Sequence, residues 1–342
     1  MDRFELVTRH MEEVVTEEEL REVLKKKHPT AYIGYAPTGT LHIGHFATIR
    51  KLADFLEAGL KVKFLIADLH AHLDDEKTPF ELLDARSEYY EEGVRGMMDA
   101  AGVDQSKLEF VRGSEFQLER NYVLDVLRMA ADTTLSRCQR AASEVVRFGD
   151  APKLGGFIYP LMQSEDVVAL KADIAYGGID QRGIYMLSRE LLPNLGYKKP
   201  VCIFAPLLPG LTGGKMSASE PGSKIDILDP PQEIFRKVEK AYCPAGVKEE
   251  NGVLAYLEHL LFPLIEARGR CFVVKRDEKY GGDIEYKSYE EVERDFMSGA
   301  LHPQDLKRAV AEEIVRILEP VRKRFEGKED LLKRAYPHLK RT

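Results

Sequence analysis

Three groups of side chains have types and spacings that could do chemistry. His42 and His45 stand three apart, with Gly44 between them, in the run Tyr-Ala-Pro-Thr-Gly-Thr-Leu-His-Ile-Gly-His. At that spacing the two imidazoles share one face of a helix's first turn. Unpaired backbone N–H groups and the positive dipole end make such a turn an anion site. Two imidazoles there suit a phosphate whose charge grows during reaction, and Gly44 leaves room for a flat base or ribose against the backbone. Two surface histidines, or half of a zinc site, would read the same way. The second group is Lys215 with Ser217 and Ser219, in the Gly-rich loop Pro-Gly-Leu-Thr-Gly-Gly-Lys-Met-Ser-Ala-Ser. A lysine on a closing loop can bring positive charge to a leaving pyrophosphate. A solvated surface loop would look the same in sequence. In the third group, Tyr159, Gln163 and Asp166 fall at i, i+4 and i+7 among Ile158, Leu161, Met162, Val167 and Val168. A polar stripe on an apolar helix faces water or lines a pocket that supplies partners.

The elements that must position these groups follow from pattern and punctuation. Residues 30–33 read as a strand, Pro37, Thr38 and Gly39 as a turn, and the apolar spacing from Leu41 to Gly59 as a helix. With a second strand at 61–69 this is a βαβ unit, hence a parallel sheet. Thr78-Pro79-Phe80-Glu81 reads as a capping box opening a helix to about residue 101. Further strands are expected at 108–111, 172–176 and 200–205. Helices are expected at 118–131, at 134–147 (carrying Arg137, Arg140 and Arg147), through 153–170, and from Gln181 to about Pro193. Ligands in open α/β sheets bind at the strand-to-helix edges where Gln181 lies. Pro230-Pro231 reads as a linker. Beyond it helical patterns dominate, at 233–242, 253–267 and 303–325, with Pro263 and Pro320 as kinks or breaks. A hairpin around Gly281-Gly282 interrupts them.

Composition bounds the class. The chain has 342 residues, 44% apolar and 31% charged, with net charge −7. That suits two domains with ample core and argues against a general nucleic-acid binder. From Leu301 onward there are 11 Lys/Arg against 7 Asp/Glu, so a basic end follows an acidic body. Such an end fits a local nucleic-acid contact or a solvated helix face. No apolar run reaches membrane-span length, and the N-terminus is not a signal peptide. The four cysteines carry no Cys-x-x-Cys spacing. The expected setting is therefore a reducing cytoplasm, with no membrane partner and no zinc site.

Taken together, the His-Ile-Gly-His and Lys-Met-Ser-Ala-Ser stretches resemble the two signatures of class I aminoacyl-tRNA synthetases. The segments Ala31–Gly34, Ala67–Ala71, Ile158–Pro160, Ala241–Gly246 and Leu301–Pro303 resemble the archaeal and eukaryotic tyrosyl-tRNA synthetases, over nearly the whole chain. That resemblance implies an α/β fold: a Rossmann-type parallel-sheet catalytic domain (1–230) followed by a smaller, mostly helical anticodon-binding domain (231–342), acting as a homodimer. It implies that L-tyrosine and ATP give tyrosyl-adenylate and pyrophosphate, and that tyrosine then passes to the 3′ end of tRNA(Tyr). Mg²⁺ would accompany ATP, with no tightly bound metal. Carried over by position, Tyr32 and Asp166 hold the substrate phenol. Tyr159, Gln163 and Gln181 surround its ammonium, and Gly34 and His70 complete the tyrosine site. His42 and His45, with Pro37 and Gly44, form the ATP site, where Lys215, Met216, Ser217, Ala218 and Ser219 close over the pyrophosphate. Arg140 faces the acceptor stem, Tyr280 stacks on the anticodon and Asp305 accepts from a guanine. Ala218 stands where the superfamily motif has a second lysine, which leaves open what supplies that charge.

The nearest rival is a tryptophanyl-tRNA synthetase. Tyr32 and Asp166 argue against it, because an indole offers only one N–H donor. A small nucleotidyltransferase would share the His-x-Gly-His element, but the region after Pro231 speaks against it. A relative that only binds RNA, without catalysis, would not need His42, His45 and Lys215, and all three are intact.

Overall fold

The computed structural model describes residues 2–74, 77–214, 216 and 221–339. The chain opens with helix α1 (Arg3–Thr8), edge strand β1 (Glu13–Val15) and helix α2 (Glu17–Val23). Strand β2 (Thr30–Tyr35), helix α3 (Ile43–Glu57) and strand β3 (Lys61–Ile66) form the first βαβ unit. Helices α4 (Asp68–Leu73) and α5 (Leu83–Ala101) lead to strand β4 (Leu108–Arg112). Helices α6 (Arg120–Asp132), α7 (Leu135–Ala142) and α8 (Gly155–Ala169) precede β5 (Ile174–Gly178), α9 (Arg182–Asn194) and β6 (Val201–Ala205). The rest is mainly helical: α10 (Pro231–Glu239), α11 (Gly252–Tyr256), α12 (Phe262–Ala267), a hairpin of β7 (Phe272–Val274) and β8 (Ile284–Tyr286), then α13 (Tyr289–Met297), α14 (Pro303–Arg324) and α15 (Glu329–Ala335).

The main sheet runs in the order β1-β6-β5-β2-β3-β4. All its pairings are parallel except that of β1 with β6. Side-chain alternation splits the core into two layers. Ile33, Phe64, Ile66, Tyr176 and Ile203 pack on the face covered by α3 and α5. Tyr32, Leu65, Ala175 and Phe204 pack on the opposite face with residues of α6, α8 and α9. The first layer continues without interruption into α14 and α15, through Ile314, Ile317, Leu318, Val321 and Ala335.

Strand order reverses between β2 and β5, the switch point at which open α/β sheets form a ligand crevice. Here the crevice is visible in the register. The β2–β5 ladder stops at Tyr32↔Ala175. Beyond that pair β2 stays bonded to β3 as far as Tyr35, and β5 to β6 as far as Gly178. The two central strands therefore part toward their carboxyl ends. Gly34, on the same face as Tyr32, is exposed within this central strand.

Several sequence expectations need correction. The strand expected at 61–69 ends at Ile66, and Asp68 to Leu73 form α4, because a short apolar run does not separate strand from helix. Thr78 does not cap a helix: its hydroxyl donates to the Pro37 carbonyl at 2.8 Å, and a 3₁₀ turn at Phe80–Leu82 precedes α5. Arg147 lies outside α7. Pro320 does not end α14. Pro263 follows a π-helical turn at Leu257–Leu261, and the helix runs on without a break from Gly252 to Ala267. Strand β1, three residues long, is an addition to the expected strands.

Candidate active site

The helix expected from Leu41 begins at Ile43, so His42 is its N-cap and not part of its first turn. The two histidines form a reciprocal cap. Gly44 N–H donates to His42 Nδ1 at 3.2 Å, and His42 N–H donates to His45 Nδ1 at 3.1 Å. Ring centroids lie 4.0 Å apart. A ring nitrogen that accepts cannot carry the proton, so both rings present an Nε2–H donor. Burial keeps both uncharged, helped at His42 by His45 and at both by Lys224; His45 titrates at about 4. The pair thus offers neutral donors at the positive end of a 15-residue helix. A Cβ on Gly44 would lie 3.1 Å from the His42 ring and 3.3 Å from Met216 Sδ. Of the lysine-loop residues, Met216 is therefore placed over this turn, whereas Lys215, Ser217, Ala218 and Ser219 lie outside the described residues. The segment after the loop docks beside them: Ile43 N–H donates to the Ile225 carbonyl at 2.9 Å, and Ile227 N–H to that of Leu41 at 3.1 Å.

The turn that feeds α3 is held by α5 and by the end of α15 with Tyr336 after it. Tyr90 and Tyr336 hydroxyls donate to the Gly39 carbonyl at 2.8 and 2.7 Å. Arg86 Nη1 donates to the Thr38 carbonyl at 2.7 Å and its Nε to the Ala335 carbonyl at 3.0 Å. Its guanidinium also lies 4.8 Å from the Tyr336 ring centroid. The Thr78 hydroxyl secures the Pro37 carbonyl at the start of the same turn. No local pattern marks Arg86, Tyr90 or Tyr336 for this task.

Across the crevice, the polar stripe of α8 faces inward. Asp166 is 1% exposed, and Tyr159 and Gln163 are also buried. Asp166 Oδ1 accepts from Gln117 Nε2 at 2.7 Å and from the Tyr122 hydroxyl at 2.9 Å. Its Oδ2 has His70 Nε2 at 3.8 Å, beyond hydrogen-bond reach. Burial pushes the carboxyl up to about 7, and the Gln117 and Tyr122 donors hold it from rising further. Tyr32 Oη makes a long 3.5 Å bond to the Gln163 carbonyl and also interacts with the Tyr185 hydroxyl. No hydrogen bond among the described residues joins Tyr32 to Asp166. Gln163 Nε2 donates to Gln181 Oε1 at 3.1 Å, which brings α8 to the start of α9. His70 is buried behind Asp166, its ring edge-on to Tyr159 at 4.6 Å. Asp180, beside Gln181, has a carboxyl that burial raises. Gln117, Tyr122 and Asp180 carry no signal in the sequence. Only tertiary proximity marks them.

The remaining candidates are apart from this crevice. Arg140 is exposed on α7. Tyr280 is 65% exposed at the hairpin turn, with Lys279 Nζ 4.8 Å above its ring. Asp305 lies in the first turn of α14. Arg276 of the hairpin reaches the Ala300 carbonyl at 3.4 Å, tethering the hairpin near the start of that helix.

A family model described as tRNA synthetases class I (W and Y) matches residues 24–319. The chain is 62% identical to the tyrosine–tRNA ligase of Haloarcula marismortui, over 98% of this chain and 97% of that one. A crystal structure of Archaeoglobus fulgidus tyrosyl-tRNA synthetase complexed with L-tyrosine superposes with a TM-score of 0.87 at 50% identity, covering 94% of this chain and 98% of that one. The corresponding Pyrococcus horikoshii structure gives a TM-score of 0.90 at 34% identity, over 98% and 100% of the two chains. By sequence, by fold and by the geometry of its crevice, the chain belongs to the class I tRNA synthetases of the W and Y family.

Proposed function

We propose that this chain is a tyrosine–tRNA ligase: it activates L-tyrosine with ATP, releasing pyrophosphate, and transfers the tyrosyl group to the 3′ end of tRNA(Tyr). The observation that carries this reading is Asp166, a buried carboxylate with one oxygen held by two donors and the other uncommitted. It can accept a phenol O–H, while Tyr32 supplies the second partner. Phenylalanine would leave the second oxygen of that carboxylate desolvated and without a donor, which rejects it more strongly than shape does. Tyr159, Gln163 and Gln181 would meet the ammonium, with Gly34 as the open floor and His70 packed behind. His42 and His45 would donate from Nε2 to phosphate oxygens, with Pro37 and Gly44 shaping the nucleotide side. The tyrosine carboxylate then attacks the α-phosphorus, and no enzyme nucleophile is needed.

Lys215, Met216, Ser217, Ala218 and Ser219 would cover the pyrophosphate, and Mg²⁺ would enter as MgATP. Residues 1–230 serve activation. Residues 231–342 serve the anticodon, with Tyr280 stacking and Asp305 accepting, while Arg140 meets the acceptor stem. Cytoplasm is the compartment that fits tRNA charging. A homodimer fits the exposed stripe of Val123, Leu124 and Leu127 on α6, flanked by exposed Leu118 and Leu135. The test is ATP–pyrophosphate exchange with each standard amino acid in turn. Tyrosine alone should support it; exchange driven by tryptophan, or by no amino acid, overturns the reading.

A further inference from the structure

The segment that docks on residues 41–43 brings a cation to the histidine pair. His42 stands opposite Asp226 in an antiparallel bridge. Lys224 precedes Ile225, whose carbonyl accepts the Ile43 N–H. Ile225 and Ile227 are fully buried toward the core. By alternation Lys224 and Asp226 project to the other face, the one on which His42 stands. Lys224 is half-buried, and no ion pair with another described residue engages it. Its charge reaches both rings, for it disfavours protonation of His42 and of His45.

Among the described residues, the charged groups around Lys224 are Asp226, Asp229 and Lys237. Both carboxylates are engaged in their own turn. Asp226 Oδ1 accepts the Leu228 N–H at 3.0 Å. Asp229 Oδ2 accepts Lys237 Nζ at 2.6 Å and the Asp226 N–H at 2.9 Å. Burial holds the Lys224 ammonium below the usual lysine range, only partly offset by Asp226. A half-buried ammonium beside two neutral N–H donors forms a cradle of one charge and two dipoles, which suits a polyphosphate.

We infer that Lys224 is a further catalytic residue of adenylate formation, its ammonium meeting the phosphates of ATP beside His42 and His45. This rests on the tyrosine–tRNA ligase reading. In that reaction a carboxylate oxygen of tyrosine bonds to the α-phosphorus. The bond from that phosphorus to the α,β-bridging oxygen breaks, and its electron pair leaves with pyrophosphate. Lys224 gives up no proton; it opposes the charge that gathers on the departing group. It also stands outside the Gly-rich loop, on a segment hydrogen-bonded to residues 41–43, so its position is fixed by the same backbone that fixes the histidines.

The test is single-turnover formation of tyrosyl-adenylate from MgATP and tyrosine by the full chain. Lys224→Ala and Lys224→Met should each slow it by roughly 10²-fold, the loss typical of one positioned donor. Tyrosine affinity should be unchanged, and Lys224→Arg should keep most of the rate. The methionine variant retains the apolar stem, so packing is tested apart from charge. A wild-type rate in Lys224→Met overturns the inference. So does a loss of rate matched by an equal loss of tyrosine affinity, which marks Lys224 as a mere counter-charge to Asp226 and Asp229. Failure of the unaltered protein to activate tyrosine would instead overturn the parent reading.

Discussion

In its proposed role, Asp166 would make tyrosine recognition sensitive to pH near neutrality. Burial raises its carboxyl to about 7 in the ligand-free protein, well above the roughly 3.9 of an unfolded aspartate. Accepting a phenol O–H favours the charged form, so the complex titrates lower than the free protein. Tyrosine affinity should therefore be full above pH 7 and fall as pH drops through it. Equilibrium binding between about pH 5.5 and 8.5 checks this, and Asp166→Asn should abolish the dependence. For the ligand-free protein the sign is opposite. Its folded-state value lies above the unfolded one, so the native state binds the extra proton between the two. Stability is then lost as pH rises through that window, and saturating tyrosine should offset the loss. Tyr122→Phe removes a donor to the charged carboxylate, which should shift the binding midpoint upward and cost about 1.5–3 kcal/mol of that interaction. An unshifted midpoint would mean Tyr122 does not support the charge.

At the scale of one element, α3 asks its N-cap to do two things. His42 caps the helix through Nδ1 and offers Nε2–H to the crevice, and substitution can separate the tasks. Asparagine caps as well as any residue, so His42→Asn should keep the melting temperature while adenylate formation slows by roughly 10²-fold. His42→Ala should show the same slowing and also lose about 0.5–2 kcal/mol of stability. If His42→Asn activates tyrosine at the native rate, the ring is only a cap. The strand, turn and helix around His42 are legible in the sequence because Pro37, Gly39 and the apolar spacing are local signals. The polar stripe of α8 is legible as a pattern, but only α6 and the loop before it, by covering the stripe, decide between water and pocket. The support carries no local signal. Gln117 and Tyr122 reach Asp166 from 49 and 44 residues away, and β1 is too short to show periodicity. Thr78 has the right sequence for a cap but finds a carbonyl in another loop.

At the scale of the molecule, one hydrophobic layer runs from α1 through the sheet to α15. The 230/231 division therefore separates proposed tasks, not separate cores. The Arg86 and Tyr336 bonds to the turn before His42 are the sharpest case. Tyr336→Phe removes one of two donors to the Gly39 carbonyl, a loss of about 0.5–1.5 kcal/mol. Arg86→Met removes the bridge from that turn to the Ala335 carbonyl and should do more. Both should raise the KM for ATP in pyrophosphate exchange while tyrosine binding holds. A lower melting temperature with an unchanged KM would make the clamp purely structural.

The same bonds bear on how the protein is made. Gly39 and Tyr336 are 297 residues apart. At about 5–20 residues per second, a ribosome reaches the second roughly 15–60 s after the first. During that interval the nascent chain can already pair β2 with β3, yet the turn leading into His42 lacks its last tether. In the proposed reading, competence for the nucleotide then waits for Tyr336, long after His42 and His45 have been translated.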